Sequence, residues 1–169
     1  MRQETDDVFA GLDVPPWESE TNFRGKFDKA ADAIKYMSAG NATVTFQSKK
    51  TETRFTYKLT FAKGEPGPRG VTIFVSLMTG PDNTSSFVYI GHIFSDQMVY
   101  WPGRKSKIAA NAPGPTAFDW CWRQMIAGKL PDALEVWHES SCGRCGRKLT
   151  VPESVASGFG PECRGKVGL

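Results

Sequence analysis

The sequence predicts an α+β fold: an antiparallel meander of about five strands with two helices, plus a small C-terminal treble-clef-like zinc ribbon. Three observations carry this expectation. RFTYKLTF at 54–61 alternates strictly, with Phe55, Tyr57, Leu59 and Phe61 on one side and Thr56, Lys58 and Thr60 on the other. TAFDWCWRQMIAGK at 116–129 sets Phe118, Cys121 and Met125 at helical spacing before Gly128. HESSCGRCGRKLTVPESVASGFGPECRGK at 138–166 holds three of the chain's four cysteines within twenty-two positions.

Taken in chain order, residues 1–22 carry Pro15-Pro16, scattered acids and no sustained period, which predicts a poorly ordered acidic arm. The body, 23–130, opens with helical spacing of Phe27, Ala30, Ala31, Ile34 and Met37 over 26–38, stopped by Gly40-Asn41. ATVTFQ and RFTYKLTF then form the first pair of strands. VTIFVSLM, apolar on both faces, reads as a central strand, and FVYIGHIF turns at Ser95-Asp96 into MVYW. The second helix covers the sheet, and LPDALEVW leads into a module at 131–169.

Composition excludes several classes. A chain of 169 residues with 40% hydrophobic and 23% charged residues folds as an ordinary globular protein. Its longest apolar runs fall far short of the roughly 20 residues that cross a bilayer, and it does not open on a basic start followed by an apolar run, so no secretory leader is expected. No membrane association is therefore expected, and a cytoplasmic setting favours metal over disulfide for the cysteines. Residues 1–20 carry six acids against one Arg, so the remainder is strongly basic although net charge is only +3. A solvated tail explains this, and so does an acidic arm beside an anion-binding body.

Cys142-x2-Cys145 followed by Gly146 has the form of a knuckle in which two thiolates converge on one metal, and Cys163 follows seventeen residues later. RKLTVPESV fits a short hairpin, and Pro161 suits the start of a helix bearing Cys163. One structural Zn²⁺ is expected, contributing roughly 10 to 16 kcal/mol of apparent binding energy. Candidates for the fourth ligand are His138, Cys121 and His92, with a carboxylate or water also open. His138 leads, because a strand end four residues before the knuckle could turn its imidazole inward. Cys121 lies on the apolar stripe of the second helix and reads as core. The redox reading lacks a βαβ unit, and the deaminase signature fails because His138 and Glu139 are adjacent.

CGRCGRKLTVPESVASGFGPEC resembles a family of uncharacterised small phage and prophage proteins whose zinc-ribbon module reads C-x-x-C-G-R-x-L-T-x-P-E-S and then G-I/F-G-P-x-C. The upstream stretches GNATVTFQSKKTETRFTYKLTF, VSLMTGPDN and GRKSKIAANAP resemble its longer members. The resemblance implies a phage-borne, zinc-binding, non-enzymatic protein of the host cytoplasm. It also implies a Trp-His pair before the knuckle, here Trp137-His138, which supports His138 as a ligand.

Basic and aromatic residues interleave at Lys49 and Lys50, at Tyr100, Trp101, Arg104, Lys105 and Lys107, and in the module at Arg144, Arg147 and Lys148. Cations that track phosphates beside aromatic faces that stack bases predict binding of DNA or RNA, single-stranded forms favoured. The rival expectation is a protein-binding module that engages or inhibits a host enzyme or defence complex. Phosphate-loop, nucleophile-elbow and dinucleotide fingerprints are absent, so no enzyme is expected.

Overall fold

The computed structural model describes residues 25–80, 86–150 and 152–168; the acidic arm lies outside the described residues. Strands β1 (Gly25–Phe27), β2 (Asn41–Ser48), β3 (Arg54–Phe61), β4 (Thr72–Met78), β5 (Phe87–Phe94), β6 (Val99–Pro102) and β7 (Leu134–His138) form one sheet. Its order is β1-β7-β2-β3-β4-β5-β6, with every neighbouring pair antiparallel. The helices are α1 (Ala30–Met37), α2 (Pro113–Ile126), α3 (Pro152–Ser157) and α4 (Pro161–Lys166). None is long and apolar enough to cross a membrane.

The expected meander is present as β2 to β6, and two further strands extend it. Residues 25–27 are strand rather than helix, because Phe27 pairs with Val136 and buries its ring, so α1 starts only at Ala30. Gly40 closes the segment after α1 at φ +114, a left-handed conformation that favours glycine. The larger correction is β7. LEVWH lies between β1 and β2, pairing Val136 with Phe46 and His138 with Val44. The expected division at residue 131 therefore cuts through the sheet, and the module grows out of one of its inner strands.

Alternation sends one face of the sheet into the core. Val44, Phe46, Tyr57, Leu59, Ile73, Val75, Leu77 and Val136 are buried there under α1 and α2. Phe118 of α2 centres the contact: its ring lies 5.0 Å from those of Tyr57 and Tyr100, and 5.9 Å from those of Phe46 and Trp122. Aromatic rings packed at these separations make cutting Phe118 to Ala costly, about 3–5 kcal/mol. The polar ends of this cluster are satisfied. Tyr57 Oη donates to the Gly114 carbonyl at 2.7 Å, Trp122 Nε1 to Met98 at 2.8 Å and Tyr100 Oη to Ile90 at 3.1 Å.

β4 is an inner strand, as its sequence reads, but only its core face is apolar throughout, since Thr72 and Ser76 share the other face with Phe74 and Met78. Ile73, Val75 and Leu77 point into the core while Phe74 is 40% exposed on the opposite side. β5 departs from strict alternation because its pairing slips: Val75 pairs with Gly91 and Ser76 with Tyr89. The extra residue, Ile90, lets both Ile90 and Ile93 enter the core and brings Tyr89 onto the same open face as His92. Only glycine fits at 91, since an added Cβ would overlap the Trp101 carbonyl and the Tyr100 ring.

Candidate metal centre and cationic surfaces

The cysteine segment is built from a turn, a bridge and two short helices. After β7, Ser140 takes φ 59 and Ser141 bridges Lys148. The knuckle closes as Cys142 N donates to the Arg147 carbonyl and Gly146 N to the Cys142 carbonyl, both at 2.8 Å. Gly146 sits at φ +78 against the side chain of Asn41. The expected hairpin over RKLTVPESV does not form. Pro152 opens α3 instead, at a position where its missing N–H costs nothing. Gly160 caps α4, Pro161 follows, and Cys163 lies in the first turn, as the sequence predicts.

These elements place one Sγ each from Cys142, Cys145 and Cys163 within 4.8 Å of one another, an arrangement able to hold a metal ion. Cys142 and Cys163 are buried and Cys145 is exposed. Burial raises the Cys142 thiol, but backbone N–H groups of Cys145, Gly160 and Arg144 outweigh it and bring the value down to about 7. Arg144 N lies 3.4 Å from Cys142 Sγ, and its guanidinium reaches Cys163 Sγ at 3.8 Å. Burial raises the Cys163 thiol, with Arg144 opposing. The sulfurs line a cleft of about 380 Å³ that also touches Arg147, Lys148, Lys166 and Ser154. Ser154 is 1% exposed and its hydroxyl has no hydrogen-bond partner among the described residues.

The centre is tied to the body rather than hung from it. Tyr36 Oη donates to the Ser141 carbonyl at 2.7 Å, Asn41 N to Gly143 at 2.8 Å, and Gly143 N to Gly158 at 3.0 Å. An added Cβ at Gly143 or Gly158 would press on the Tyr36 ring at 2.6 Å. Phe159 and Leu149 complete the shared core.

His138 does not join the cysteines. It is fully buried on the helix side of β7, its ring 5.0 Å from that of Tyr36 and 5.3 Å from that of Phe27. Nε2 donates to the Val155 carbonyl at 2.6 Å, and Nδ1 accepts from Ser140 N at 3.1 Å. Both nitrogens are thus committed in the neutral Nε2–H tautomer, and neither lone pair is free for a metal. Cys121 is core, its thiol pushed up to about 12 by burial. His92 lies on the open face of the sheet with Nδ1 2.9 Å from Tyr89 Oη, and desolvation together with the charge of Arg69 lowers its pKa.

The structure does not gather the expected cations into one surface. Arg144, Arg147 and Lys148 are exposed at the knuckle, beside the end of β2 that starts at Asn41. Lys49 and Lys50 are exposed in the turn at the other end of β2. Arg104, Lys105 and Lys107 follow β6, four strand positions away from β2, or about 19 Å at the usual strand spacing. Tyr100 is 6% exposed with its hydroxyl bonded to Ile90, so it is core and unavailable to a ligand. Trp101 points the other way and is 43% exposed. One arrangement went unmarked in the sequence, where Phe74, His92 and Trp101 are far apart: they are cross-strand neighbours on the open face.

Residues 133–168 match the model of a family of unknown function (DUF6011), a span running from just before β7 through α4. No curated protein and no solved structure matches the chain.

Proposed function

We propose that Cys142, Cys145 and Cys163 hold one zinc ion in a structural, treble-clef-like site, and that the chain is a non-enzymatic protein that binds nucleic acid. The convergence of three thiol sulfurs at a cleft bordered by Arg144, Arg147, Lys148 and Lys166 carries this reading. Soft thiolate ligands in a tetrahedral set suit zinc over magnesium, calcium or manganese. Three sulfurs leave one coordination position, which a water in the cleft that Ser154 also lines would fill. Zinc would supply cross-linking here: it ties the knuckle to the start of α4, and through Tyr36 and Asn41 both are fastened to the sheet. The surrounding cations offset the negative charge of a three-thiolate site and remain turned to solvent, where phosphates can reach them. A phage accessory role draws its support from the motif resemblance.

The test is fluorescence anisotropy on zinc-quantified protein with labelled single-stranded DNA, duplex DNA and RNA at two salt concentrations. Binding that weakens steeply with salt is expected, and Arg144→Ala/Arg147→Ala/Lys148→Ala should flatten that dependence. Absence of binding at low salt, together with a host protein captured stoichiometrically after nuclease treatment, would replace this reading with the protein-partner one.

A further inference from the structure

The open face of the sheet carries a site outside the zinc module. Across β3, β4, β5 and β6 the register aligns Thr60, Phe74, His92 and Trp101 in one row. Adjacent strands lie about 4.8 Å apart, so the three rings form a continuous strip three strands wide. Phe74 is 40% and Trp101 43% exposed, on the face opposite to the one that α1 and α2 cover. Tyr89 meets Phe74 edge-on at 5.9 Å, and Phe94 meets His92 at 4.9 Å, which fixes the ring positions before any ligand arrives.

Cations border the strip. The Arg69 guanidinium lies 4.3 Å from the Phe94 ring centre and 5.9 Å from that of Trp101, and Lys58 Nζ lies 5.7 Å from that of Phe87. Arg69 is oriented by Gln97 Oε1 at 2.6 Å and by a looser contact with Asp96 Oδ2 at 3.5 Å. A phosphate can replace that half-exposed carboxylate as its partner. Flat aromatic faces bordered by Arg and Lys match a ligand of planar apolar rings on an anionic backbone. A duplex keeps its base faces stacked away from such a surface, whereas single strands offer them.

We infer that this face, through Phe74, His92 and Trp101 with Arg69 and Lys58 at its edge, binds single-stranded nucleic acid by stacking its bases. The inference deepens the nucleic-acid reading above and rests on it. It shifts the base contacts from the loop after β6 and the knuckle to the sheet, leaving those cations as sequence-independent phosphate contacts.

The experiment titrates a labelled oligo-dT of about 15 nucleotides, and the same strand with abasic sites throughout, into three full-length proteins. These are the natural chain, Phe74→Ala/Trp101→Ala, and Arg144→Ala/Arg147→Ala/Lys148→Ala, each with its thermal transition checked. Both residues of the double variant are exposed, so its fold should be retained. The natural chain should prefer oligo-dT to the abasic strand by at least about thirty-fold, and the double variant should lose that preference. Equal affinity of the natural chain for the two strands, or undiminished binding by the double variant, overturns the sheet-face inference while leaving phosphate-driven binding intact. Failure of the natural chain to bind either strand at low salt overturns both.

Discussion

His138 Nε2 and the Val155 carbonyl meet at 2.6 Å beneath Gly25, and that contact decides what the histidine does. β7 sends the imidazole into the core, where the Val155 carbonyl of α3 accepts from Nε2–H and the Ser140 N–H donates to Nδ1. The histidine nearest the knuckle is therefore a packing and hydrogen-bonding element that locks the module to the sheet.

Replacing His138 with Gln should lower stability by about 2–4 kcal/mol, because buried partners lose their hydrogen bonds and the aromatic cluster loses a ring. Zinc content should stay at one per chain. Gly25→Ala should cost a similar amount, since its Cβ would overlap the imidazole. Urea unfolding followed by metal quantification checks both outcomes.

The same residue sets a pH dependence. Burial lowers the His138 pKa, and this outweighs the opposing effects of the Val155 carbonyl and the Glu139 charge. A depressed folded value means the neutral form is the one that fits. Its contribution is complete above the unfolded value of about 6.5 and is lost as pH falls through the folded value. Of the groups facing it, Tyr36 has its pKa raised by burial and stays neutral here, while Glu139 favours the imidazolium. Between pH 7.5 and pH 5.5 the natural chain should lose up to about 1.4 kcal/mol per pH unit more than His138→Gln. Parallel losses in the two proteins would contradict the assignment.

Cysteine reactivity should sort by environment. In metal-stripped protein at pH 7.5, iodoacetamide should label exposed Cys145 first. Cys121, buried and with its thiol at about 12, should be labelled last. Zinc should protect Cys142, Cys145 and Cys163 and leave Cys121 unchanged, as read by peptide mass spectrometry.

Local patterns were legible and distant ones were not. The strands at 54–61 and 87–94 can be read to the residue, because β-branched and aromatic side chains end at clear turn residues. LEVWH shows in sequence only as a strand end at His138, because its partners, β1 and β2, lie about a hundred residues earlier, and only their pairing makes it an inner strand. Cysteine spacing fixed the knuckle and the start of α4. It could not tell which way His138 points, since one step along a strand reverses the face. The Phe74–His92–Trp101 row depends on registers that sequence alone does not supply, and the slip at Ile90 sets Tyr89 beside it.

Zinc-edge X-ray absorption on the purified chain tests the central claim most directly, because it counts ligands at the metal. Three sulfurs at about 2.3 Å and one oxygen, without the outer-shell scattering of imidazole, are the predicted result. An imidazole contribution would contradict the fourth-ligand assignment and return a histidine to the metal, and fewer than three sulfurs would contradict the three-cysteine site itself.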